Sequence, residues 1–84
     1  MTVTNPAQDL DFYCEAFGRA VINEDWTQEV RLDVCLGLAQ KLMGLKDEAS
    51  LSNSFERRVA GIAKLIPQTE AFADVRNTLA LQAA

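Results

Sequence analysis

Eighty-four residues make one small domain, and with 49% of them hydrophobic the chain is not compositionally disordered. A chain of this size buries only roughly 60–65% of the surface its unfolded form exposes, so its core is adequate without surplus and a second subunit is a common remedy. The net charge of −4 and the absence of histidine disfavour direct nucleic-acid binding, which needs a basic stripe, and remove the commonest general base and metal ligand.

The segment Met1-Thr2-Val3-Thr4-Asn5-Pro6 has neither the basic flank nor the apolar stretch of a signal peptide. No apolar run approaches the roughly 18 residues that a membrane span needs. The expectation is a cytoplasmic protein with Cys14 and Cys35 reduced, both read as small buried hydrophobes.

The first helix is expected at about 6–22. Asn5 stands as its cap, Pro6 at the first helical position and Gln8 three residues after the cap, a capping-box arrangement. Leu10, Tyr13, Cys14, Phe17 and Val21 then fall on one stripe. The second helix is expected at about 26–43, capped at Asp25 with Gln28 completing the box and Gly44 as its stop. A looser stretch follows. Asn53 caps a third helix at about 54–66, striped by Phe55, Val59, Ile62 and Ile66 and ended by Pro67. Thr69 caps a fourth at about 70–81, carrying Phe72, Val75 and Leu79. The fold class is therefore all-α, a small bundle of about four helices in a single helical domain over 1–84.

The second helix differs from the others. Apolar residues from Trp26 to Met43 cover most of its circumference, and only a sector around Glu29, Asp33 and Gln40 is clearly polar. Such a helix is buried on more than one side. Two arrangements satisfy it: the second helix is central to the bundle, which is the preferred reading, or a second copy covers one face in a homodimer.

Several residues break the pattern. Phe12 points away from its own stripe, among Asp9, Glu15 and Arg19, which is either the anchor-and-rim layout of an interface or a site covered by a later segment. Ile22 and Leu81 are also off-stripe, near helix ends. Trp26 is expected to be half-buried at the first interhelical turn, with an exposed binding anchor as the alternative. Gly18, Gly37 and Gly61 lie inside helical patterns at a cost of about 1 kcal/mol each relative to Ala. Close helix approach is the usual compensation, so Ala60-Gly61 is expected to face a neighbouring backbone.

The charge is uneven. Up to Asp33, seven acids face Arg19 and Arg31, a balance of −5; from Val34 onward, six bases face five acids, a balance of +1. The acidic half either seeks a basic partner or keeps the chain soluble.

Catalytic and metal-binding patterns are not found. The cysteines are 21 positions apart, without zinc-site spacing, and Cys14 lies on an apolar stripe where burial makes a thiol inert. The carboxylate pairs Asp11/Glu15 and Glu29/Asp33 are ordinary acidic surface. No glycine loop for phosphate and no calcium loop occurs. Leu38-Ala39-Gln40-Lys41-Leu42 with Gly44-Leu45 resembles the start of a helix-turn-helix, but Asn53 lies nine positions beyond Gly44, whereas that motif turns in about three to four residues.

The expectation is thus a non-enzymatic protein–protein interaction module (inhibitor, adaptor or chaperone-like) acting through an acidic helical face, without cofactor or metal. Its partner-binding residues are Asp9, Phe12, Glu15, Arg19, Trp26, Glu29 and Asp33. Its partner is another protein, with a basic surface, or a second copy in a homodimer. The alternative is a small DNA-binding regulator with a degenerate helix-turn-helix reading through Arg57, Arg58 and Lys64. A carrier of an apolar ligand is a third reading, which so short a chain can hardly supply with core volume.

Overall fold

The computed structural model describes residues 5–80, with the backbone alone at 52, 53 and 80. Four α-helices follow in order: α1 (Pro6–Ile22), α2 (Gln28–Met43), α3 (Ser52–Ala63) and α4 (Ala73–Ala80), the last continuing a 3-10 turn at Glu70–Phe72. No strand occurs among the described residues.

The start of α1 follows its sequence closely. Asn5 Oδ1 accepts from the backbone N–H groups of Ala7 (3.0 Å) and Gln8 (3.3 Å), and Pro6 removes an N–H that would otherwise be orphaned. Leu10, Cys14, Phe17, Ala20 and Val21 are the buried side of the helix.

Helix α2 begins two residues later than Trp26. Thr27 is its cap, the hydroxyl oxygen accepting from Val30 N–H at 3.2 Å. The N–H of Asp25 is instead engaged by Asn23 Oδ1 at 2.9 Å, inside the connecting turn. At the far end Gly44 keeps a right-handed conformation (φ −63°). A Cβ there would lie 3.2 Å from the Lys41 carbonyl oxygen, a tight contact.

Helix α3 starts at Ser52, so Asn53 lies inside its first turn, and the side chain of Asn53 is outside the described residues. The helix ends at Ala63, and turns carry the chain to Pro67. Thr69 precedes the last helix in extended conformation without a side-chain cap. Arg76 holds this loop instead, donating to the carbonyl oxygens of Pro67 (2.8 Å) and Thr69 (2.5 Å). Leu81 lies outside the described residues.

Around the core the helices run α1, α2, α4, α3, and each packs on its two neighbours. The two most extensive contacts are α1–α2 and α2–α4, so the second helix is the most heavily packed of the four. Cys35, Ala39 and Leu42 point into the core, while Leu32, Val34, Leu36, Leu38 and Met43 are half-buried on its flanks. The principal extents are 36 × 32 × 15 Å, a slab too thin to enclose a helix on every side. The second helix is therefore flanked, and its solvent sector carries Glu29, Asp33, Gly37 and Gln40.

One expectation is overturned. Ala60 and Gly61 are exposed, and a Cβ built on Gly61 meets nothing within 4 Å. The stripe that packs α3 is Phe55, Val59, Ile62 and Ile66, and Gly61 sits on the opposite side. Gly37 is equally unobstructed, and only Gly18 approaches a neighbour, Leu65 Cδ1 at 3.6 Å.

Candidate functional site

The residues singled out from sequence fall into two sets. On α1, the exposed residues Phe12, Glu15, Arg19 and Ile22 follow at steps of three and four, one stripe of the helix. Phe12 is 65% exposed and Ile22 69% exposed, so no later segment among the described residues covers either one. The Phe12 ring meets Tyr13 edge to face, centroids 5.7 Å apart. Between the two apolar residues Glu15 and Arg19 form an ion pair at 2.5 Å. Asp9 is half-buried in the first turn, where a carboxylate is favoured by the helix dipole.

The second set lies at the start of α2, where a groove of about 680 Å³ opens between this helix and the 3-10 turn leading into α4. Its deeper wall is apolar: Leu32 and Leu36 are half-buried and Val75 buried. Val30 and Ala71 are exposed along the opening, together with the carboxylates of Glu29, Asp33 and Asp74. Thr27 closes one end. No lysine or arginine lines the groove, and no residue of α1 does.

Charge concentrates at the same end. Of the seven acids up to Asp33, Asp11 pairs with Arg58 and Glu15 with Arg19. Asp9, Glu24, Asp25, Glu29 and Asp33 have no ion-pair partner among the described residues, and neither does Asp74 across the groove; the last four of the five lie at the start of α2 and the turn before it. Glu29 and Asp74 each occupy a first helical turn, where the dipole gives them a structural reason as well. Asp33 sits in the second turn, beyond that reason. Trp26, 37% exposed, and Val30, 43% exposed, are the apolar residues of this acidic run.

Of the residues lining the groove, the sequence singled out Glu29 and Asp33 as partner-binding but not Thr27, Val30, Leu32, Leu36, Ala71, Asp74 or Val75. The groove joins segments about 40 positions apart, and nothing local in the sequence pairs the start of α2 with the start of α4. An available signal was the breadth of the apolar surface of α2, whose Leu32 and Leu36 remain half-buried beside the core.

The thiols offer no nucleophile. Both cysteines are buried and unbridged. Burial pushes the Cys14 thiol up, partly offset by the nearby Arg58 guanidinium, and pushes Cys35 up to about 11, partly offset by Arg31 one turn before it. Arg31 Nε is itself shielded from solvent without a hydrogen-bond partner among the described residues. No cluster of three or more Cys, Asp or Glu among the described residues is placed to hold a metal ion. No helix among them is long and apolar enough to cross a membrane.

The α2–α3 connection runs over residues 44–51, and α3 packs chiefly on α1 and α4. Compared with known protein families, with curated proteins and with solved structures, the chain matches none.

Proposed function

We propose that this chain is a non-catalytic protein-binding module, of the inhibitor, adaptor or chaperone-like kind, that presents the acidic end of α2 to a basic surface on another protein. The observation that carries the reading is the run of carboxylates at Glu24, Asp25, Glu29 and Asp33, which form no ion pair among the described residues, with Trp26 and Val30 exposed among them. Charged rims steer association and select partners, while an apolar anchor supplies most of the affinity. Two buried, unbridged thiols suit a reducing, cytoplasmic setting.

The reading is tested by co-purification with a tagged copy, comparing the natural sequence with Glu29→Gln/Asp33→Asn. The expected result is a partner of basic character that is retained at low salt, released as salt rises and lost by the variant. A partner set unchanged by the substitutions contradicts it.

A homodimer is the second reading, and one observation favours it: Phe12 and Ile22 are the two most exposed large hydrophobic residues of the described structure and share one stripe of α1. Its interface is α1 against α1, because two copies of the acidic end repel. Sedimentation of the natural sequence and of Phe12→Glu/Ile22→Glu decides it: a dimer abolished by the substitutions supports it, and a monomer at high concentration removes it.

A further inference from the structure

We infer that the groove between α2 and the start of α4 is a docking site for a basic amphipathic helix of the partner, an inference that rests on the protein-binding reading above and names its site and ligand class. Three features select this occupant. The deeper wall is apolar, formed by Leu32, Leu36 and Val75, so it accepts aliphatic or aromatic side chains in place of water. The opening carries Glu29, Asp33 and Asp74 with no cation lining it, so lysine or arginine flanking the apolar anchors on the incoming segment completes charges left unpaired here. The setting is a furrow between helical segments with no sheet edge among the described residues and no aromatic residue in its lining, which argues against strand addition and polyproline docking and favours side-chain packing of a third helix. An anionic or phosphorylated segment meets three like charges and is rejected.

Leu32 and Leu36 lie on the flank towards α4, packed against the core on one side and half-buried overall. A helix lid over the groove removes the rest of that apolar surface from water.

The test is titration of the isotopically labelled full chain, followed by amide NMR, with three synthetic peptides. The first has leucines at helical i, i+3, i+4, i+7 spacing and lysines elsewhere. The second has the same composition, scrambled so that it has no apolar face. The third has the lysines replaced by glutamates. Expected are amide shifts confined to residues 27–36 and 70–75 with the first peptide, weakening as salt rises, and at least about tenfold weaker interaction with the other two. Asp33→Asn/Asp74→Asn is expected to weaken the first peptide about tenfold, and Ala71→Trp, which fills the groove at an exposed position, to abolish its shifts. Unchanged thermal melting identifies both variants as folded. If the shifts map instead to the outer stripe of α1, or the scrambled peptide binds equally well, or no peptide shifts residues 27–36, the groove inference is overturned. Co-purification sensitive to Glu29 and Asp33 but indifferent to Ala71→Trp overturns the groove while leaving the protein-binding reading in place. Co-purification indifferent to both sets of substitutions overturns the two together.

Discussion

Asp11 on α1 and Arg58 on α3, 47 residues apart in the chain, form an ion pair across the contact of those two helices. Their side chains are 67% and 43% exposed, so the pair stabilises little in water and is screened by salt. Its larger consequence is electrostatic. It occupies one of the three bases that would give α3 a basic face and neutralises one of the acids of the first helix. What remains uncompensated is the acidic run at residues 24–33. Arg58→Ala is expected to lower stability by less than about 1 kcal/mol, with the difference shrinking as salt rises, which urea titration at two salt concentrations measures.

Phe12 and Phe17 are five positions apart on one helix and have opposite environments, 65% and 0% exposed. Phe17→Ala is expected to cost about 3–5 kcal/mol through lost burial and the cavity left behind. Phe12→Ala is expected to cost less than about 1 kcal/mol. Chemical denaturation of the two variants checks this, and a loss of several kcal/mol at Phe12 means that the residue belongs to the core.

The helices were legible because their apolar stripes and first caps are local. Asn5-Pro6 fixes the start of α1, and the stripe Phe55, Val59, Ile62, Ile66 is buried throughout. The start of α2 was harder, because Asp25 and Thr27 are both good caps two positions apart. Only the turn, in which Asn23 Oδ1 takes the Asp25 N–H, decides between them. The 3-10 turn at Glu70–Phe72 keeps helical spacing, so the sequence pattern does not separate it from α4. At the candidate site, Glu29 and Asp33 were readable as the polar sector of an otherwise apolar helix. Ala71 and Asp74 were not, since their part in the groove exists only after α4 packs on α2.

Gly37 and Gly61 lie in helix interiors with open space where a Cβ would stand. Alanine at either position is expected to stabilise the fold by about 0.5–1 kcal/mol, chiefly by restricting the unfolded chain. Thermal melts of the two single variants and the double variant check both the sign and the additivity. A destabilising effect at Gly61 restores the close-approach explanation.

The Cys35 thiol, raised from 9.0 to about 11 by burial, makes stability fall with alkaline pH. Below the unfolded value both states hold the proton and the effect is nil. Between about 9 and 11 the unfolded state releases it while the folded state keeps it, so unfolding is favoured progressively, by about 3 kcal/mol in all. Cys35→Ala is expected to flatten the fall in urea midpoint over that range. For the same reason both thiols should label slowly with a thiol reagent near neutral pH in the folded chain and rapidly once it is unfolded.

Hydrogen exchange of the chain, alone and bound to the partner it captures, locates the binding surface most directly. The account predicts slowed exchange over residues 24–36 and 70–75 in the complex, with the outer stripe of α1 and the whole of α3 unchanged. Slowing confined to α3, or to the turn of α1 that carries Phe12, contradicts it.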